Sequence, residues 1–157
     1  MPQPETIATT IEAQPMRGIG GWLALMAVGQ IVGPFLMASS ILVSYTGPDS
    51  KEAFAKLPTA MYGGLGIDLA ILAFVIGASV IFFLKKKIFK IIFTIEVLLV
   101  LLSLPLESGW ISMTTGVSMD QVFPIDQMEK NVGTSLINFV WVWYVWVSDR
   151  VKNTFVN

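Results

Sequence analysis

The sequence contains no cysteine and no histidine. The first absence excludes thiol catalysis, disulfide exchange and thiolate metal sites. The second excludes bis-histidine haem ligation, most zinc sites and the usual base of a serine hydrolase. Charge is scarce as well. Asp, Glu, Lys and Arg supply 13% of the 157 residues, about half the usual share. The net charge is −1, so there is no basic excess to hold a nucleic acid.

Apolar residues make up 54% of the chain. Such a composition cannot cover a water-facing surface with polar groups, and lipid is the expected solvent. The first seventeen residues, MPQPETIATTIEAQPMR, are polar and hold three prolines. They read as a flexible cytoplasmic tail and not as a signal peptide, because the apolar stretch that follows exceeds a signal h-region. Four long apolar stretches succeed it, at about 19–44, 62–84, 88–106 and 132–147. A span needs roughly 20 residues. The last is short unless Lys130 and Asn131 lie at the interface. Backbone groups in lipid must be satisfied within their own segment, so each span is expected to be α-helical. The expected fold class is all-α: a polytopic membrane protein, one four-transmembrane-helix bundle over 18–156. Pro34 should bend the first helix.

Lys and Arg orient the bundle. Four spans put Arg17, Lys85, Lys86, Lys87, Lys90, Arg150 and Lys152 on one side. Lys51, Lys56 and Lys130 fall on the other. The bias places both termini in the cytoplasm. The basic side also suits anionic lipid or a partner's acidic patch, although setting the topology explains it better. Of the two outer loops, the first contains SKEAFAKL, which suits a turn or two of helix. The second, about 107–131, is long enough to cap the outer face.

Each helix carries a polar side chain at depth. At about 1.5 Å per residue, Glu96 lies roughly 10 Å above the inner boundary, and Gln30 and Asn138 about 13 to 14 Å. They are expected to form one hydrogen-bonded cluster. Asp68 lies about 24 Å up, in the outer leaflet, within reach of water or of Lys51, Lys56 or Lys130. Ser103 and Glu107 share a face with Glu96, and Asn131, Ser135 and Asn138 form a polar stripe on the last helix. Ionisable residues at such depth are functional candidates, often for protons or ions. The alternative is polar glue that fixes helix register.

Small residues make a second pattern. Gly63, Gly66, Ala70, Ala73 and Gly77 form a continuous stripe on the second helix, nearly opposite Asp68. Gly29 and Gly33 make a GxxxG pair on the first. Both are expected to be packing seams within the bundle, with homodimerisation the alternative. The GIGG run at 18–21 lacks the Lys-Ser or Lys-Thr of a phosphate loop. No catalytic dyad, cofactor motif or metal-ligand set is present, so an enzyme is not expected.

The entry to the first helix, GIGGWLALMAVGQIVGP, and the exit from the last, VWYVWVSDRVKNTFV, resemble the two ends of domain-of-unknown-function family 2569. The matching residues are Gly20, Gly21, Trp22 and Leu23, then Ser148, Arg150, Val151, Lys152, Thr154, Phe155 and Val156. The resemblance implies a small four-helix protein of a bacterial inner membrane and supplies no activity. It places the two motifs close together at the cytoplasmic face, where a clasp beneath the bundle is the preferred reading and a partner-docking tail the second. Two functions remain open: a non-enzymatic accessory protein binding another membrane component or a second copy of itself, or a proton-coupled transporter or channel centred on Glu96.

Overall fold

The computed structural model describes residues 16–122 and 125–157, without the side chains of 125–132, 134 and 135. Helices follow in the order α1 Trp22–Thr46, α2 Ser50–Lys56, α3 Pro58–Phe83, α4 Phe89–Thr115, α5 Met119–Val122, α6 Ile125–Val147 and α7 Asp149–Thr154. Among the described residues no strand occurs. α1, α3 and α4 are long and apolar enough to cross a membrane. α6 spans 23 residues, of which Leu136–Val147 forms the apolar part. Among the described residues the protein is therefore an all-helical bundle with three helices of that length and composition.

Local chemistry sets the helix ends. Pro58 opens α3 at its first turn, where its missing N–H would have no partner anyway. Gly116, at φ 72°, ends α4 in the left-handed conformation and donates its N–H to the Ser112 carbonyl at 2.9 Å. The third apolar stretch was expected to end near Leu106. α4 runs on through Pro105 to Thr115 because a proline costs one helical hydrogen bond, whereas Ser108 and Trp110 gain packing against α3 by continuing. Most of the supposed outer loop is thus helix, and residues 116–118 with α5 connect it to α6. α1 likewise continues through Pro34. SKEAFAK forms α2.

α1 packs on α3, α3 on α4 and α4 on α6. The core sits at the end that carries both termini. Leu23, Met26 and Ala27 of α1 meet Phe82 of α3, Phe89, Phe93 and Val97 of α4, and Val145 of α6. Phe155 stacks on Phe89 at 4.7 Å between ring centroids, and Phe82 meets Phe89 edge-on at 5.0 Å.

The two terminal motifs close this end together. Gly18 donates its N–H to Thr154 Oγ1 at 2.9 Å. Lys87 donates its N–H to the Asn157 main-chain oxygen at 2.7 Å, and Asn157 returns one to Lys85 at 3.4 Å. The Arg150 guanidinium lies over Gly20, in the space a side chain there would fill. The arrangement is a clasp under the bundle. Lys85, Lys86, Lys87, Lys90, Arg150 and Lys152 all belong to this end, in the α3–α4 turn, the first turn of α4 and α7.

Candidate functional site

Which face of α3 turns inward decides the site. Asp68 and the small-residue stripe lie on opposite sides of this helix, so only one can face its neighbours. The structure turns the Asp68 side inward, with Gly64, Ile71, Val75, Ser79 and Phe82 buried on it. Gly66, Ala70 and Ala73 face outward, and a Cβ added at Gly66 or Gly77 would meet nothing within 4 Å. The expected seam is corrected on physical grounds. An aspartate in lipid costs roughly 2.5–3.5 kcal/mol at mid-helix, more than close approach of small residues returns.

Gly63 is the exception in the stripe. The Trp110 indole occupies the place of its missing Cβ, and Trp110 Nε1 donates to the Thr59 and Ala60 carbonyls at 3.3 and 3.2 Å. Gly63→Ala is expected to displace the indole and destabilise the bundle by about 1–3 kcal/mol. Gly66→Ala, one turn away in open space, should be neutral or gain up to about 1 kcal/mol in helix propensity. Unfolding in mixed micelles measures both.

The inward faces meet in two polar clusters. Nearer the terminal end, Gln30 Nε2 donates to both oxygens of Glu96, at 3.3 and 3.5 Å. Ser79 donates to Gln30 Oε1 at 3.0 Å and to the Gln30 carbonyl at 2.8 Å. All three are buried, and the cluster joins α1, α3 and α4. At the far end Tyr45 Oη donates to Glu107 Oε1 at 3.3 Å, with Asp68 beside the same phenol. Gly64 makes room for this contact. A Cβ there would lie 2.8 Å from Tyr45 Oη.

A cavity of about 870 Å³ connects the clusters. One wall is α1, which carries no buried residue between Ile31 and Thr46. Its Gly29 and Gly33, expected as a seam, line the cavity and touch no neighbouring helix. α4 supplies Glu96, Ser103 and Glu107, α6 supplies Asn138 and Trp141, and α3 contributes Asp68 and Val75. Leu25, Val28 and Val32 line it yet stay exposed, so it opens sideways as a cleft. Among the described residues its lining includes three carboxylates and no Lys or Arg.

A family model described as Protein of unknown function (DUF2569) matches residues 16–156. The chain belongs to that family. No curated protein and no solved structure matches it.

In this DUF2569 chain the third partner of Gln30 and Glu96 is Ser79, where Asn138 was expected. Among the described residues Asn138 makes no hydrogen bond to either; it faces them across the cavity. The reason is helix order, since α6 packs on α4 and the cleft parts it from α1. Ser79 was findable, lying five residues before the end of its span and so about 8 Å up, near the level of Glu96. Tyr45, at the end of the first span, carried no pattern that singled it out. Asp68 was expected to lie within reach of water or of Lys51, Lys56 or Lys130. Lys56 instead pairs with Glu52, and among the described residues no lysine bridges Asp68. The side chains of Lys130, Asn131 and Ser135 lie outside the described residues.

Proposed function

We propose that this protein is a non-enzymatic, ligand-binding carrier of the bacterial inner membrane, with Glu96 as the ionisable centre of its cavity. In this reading it crosses the membrane four times, and both termini are cytoplasmic. The asymmetry of Lys and Arg supports that orientation, and so does the gathering of Gly18, Lys85, Lys87 and Asn157 at one end. α6 would make the fourth crossing, with its apolar part beside the core.

The observation that carries the functional reading is the position of Glu96. It is 7% exposed, yet it borders a cavity of about 870 Å³. Polar glue alone needs no such space, because interiors otherwise close to crystal-like packing. An accessory protein without a ligand would leave the cleft unexplained. A carboxyl that takes up and releases a proton beside a ligand cavity, with or without ligand bound, is the simplest chemistry for a carrier.

Proteoliposomes with an imposed pH gradient test it. Wild-type protein should carry a proton flux, and Glu96→Gln, recovered folded, should lose most of it. No flux through either, or equal flux through both, would sink the proposal.

A further inference from the structure

We infer that the ligand is an amphipathic organic cation, seated in the cleft with its charge toward the carboxylates and its apolar body against α1 and α6. This rests on the reading of the cavity as a binding site. Three observations select the class.

The first is charge. Asp68, Glu96 and Glu107 all border the cleft, and among the described residues no cationic side chain does. An anion would meet only repulsion there, and in a low-dielectric site that repulsion is weakly screened.

The second is the state of Glu96. A buried carboxylate has about four acceptor positions. Here it receives one amide nitrogen shared between its two oxygens, at 3.3 and 3.5 Å. Those contacts are longer than the 2.7–2.9 Å typical of charge-assisted bonds. Glu96 lines the cavity, and among the described residues no basic side chain uses the rest of its capacity.

The third is the remaining lining. Val32, Met37, Ile41, Phe93, Val100 and Trp141 make a wall of aliphatic, thioether and aromatic groups. A hydrated metal ion gains nothing from such a wall. Among the described residues no three carboxylates converge closely enough to cage one. Glu96 and Glu107 are eleven residues apart on one helix, or about 16 Å. That spacing suits two successive positions for one charge along a cleft, and not a single coordination shell. The volume lies within the range of about 300–1,000 Å³ usual for small-molecule pockets. The indole of Trp141 adds a face on which an organic cation can rest.

The test uses the whole chain in lipid nanodiscs and two probes of matched shape. Tetraphenylphosphonium is a cation, and tetraphenylborate is an anion. Equilibrium dialysis against empty nanodiscs isolates saturable binding from partition into lipid. The phosphonium should bind saturably, and Glu96→Gln should weaken it by about 30-fold or more. Glu107→Gln, farther from the core, supplies a second variant should Glu96→Gln fail to fold. It should weaken binding as well. Saturable binding of the borate as tight as that of the phosphonium would overturn the inference. So would phosphonium binding that neither variant changes. The two levels of argument separate cleanly. If no phosphonium binds but proton flux still depends on Glu96, the cation class falls and the carrier reading stands. If flux is absent too, both fall.

Discussion

Phe89→Ala is expected to destabilise the bundle by about 3 kcal/mol, near the lower end of the range for buried phenylalanines. Phe89 is fully buried and sits where three parts of the chain converge. Phe155 stacks on it from the C-terminal tail, Phe82 meets its edge from α3, and Phe93 lies 5.5 Å away on its own helix. Removing the ring leaves a void lined by three other aromatics, and each loses dispersion contacts that nothing replaces. The lower end applies because association of helices within lipid gains little from the hydrophobic effect. Packing is then most of what the ring contributes. The tail should loosen in the same step, since Phe155 loses its stacking partner beside the Gly18–Thr154 and Lys87–Asn157 bonds. Unfolding in mixed micelles gives the loss, and hydrogen exchange at the Lys87 amide reports on the tail. Val80→Ala, at a 52% exposed position, should cost under about 0.5 kcal/mol. Equal losses for Phe89→Ala and Val80→Ala would remove the aromatic core from the account of stability.

Gln30→Leu is expected to cost about 2–4 kcal/mol, out of proportion to a neutral side chain of similar size. Gln30 is the one donor to Glu96 among the described residues, and it also accepts from Ser79. Leucine would strand a carboxylate that is 7% exposed and leave the Ser79 hydroxyl with main-chain acceptors only. The desolvation cost of that stranded carboxyl group, more than the lost bond, sets the size of the effect. The double variant Gln30→Leu, Glu96→Leu removes both partners and should recover much of the loss. It should remain unable to carry protons. A double-mutant cycle on unfolding, paired with flux measurements, thus separates holding the helices from handling a ligand. Additive losses in the cycle would mean that the pair does not interact.

Much of this was legible before any coordinates. Three of the apolar stretches stand out by length and composition, and depth arithmetic brought Gln30 and Glu96 to one level. The closeness of GIGG and RVKNTFV followed from the resemblance to the family. Other features were not legible. The end of α4 was not legible because the apolar stretch that marks the span stops before Glu107, whereas the helix runs on through Pro105, whose cost is local. Gly29 and Gly33 looked like a seam because GxxxG marks close approach in general and cannot show whether a neighbour is present. Here the neighbour is a cavity.

By itself the sequence pointed to lipid as the solvent and to the helical class, because apolar runs of about 20 residues suit helices that satisfy their own backbone groups, whereas barrel strands need only about 9–11. It also determined that Asp68 and the small stripe must oppose each other, since 3.6 residues make a turn. Only the tertiary structure decided which of the two faces inward. That choice depends on the cost of a charge in lipid set against the neighbours available to each face, which periodicity does not contain. The same holds for the cleft. Its walls come from four helices, and its existence depends on α1 standing away from α4 and α6 beyond Gln30.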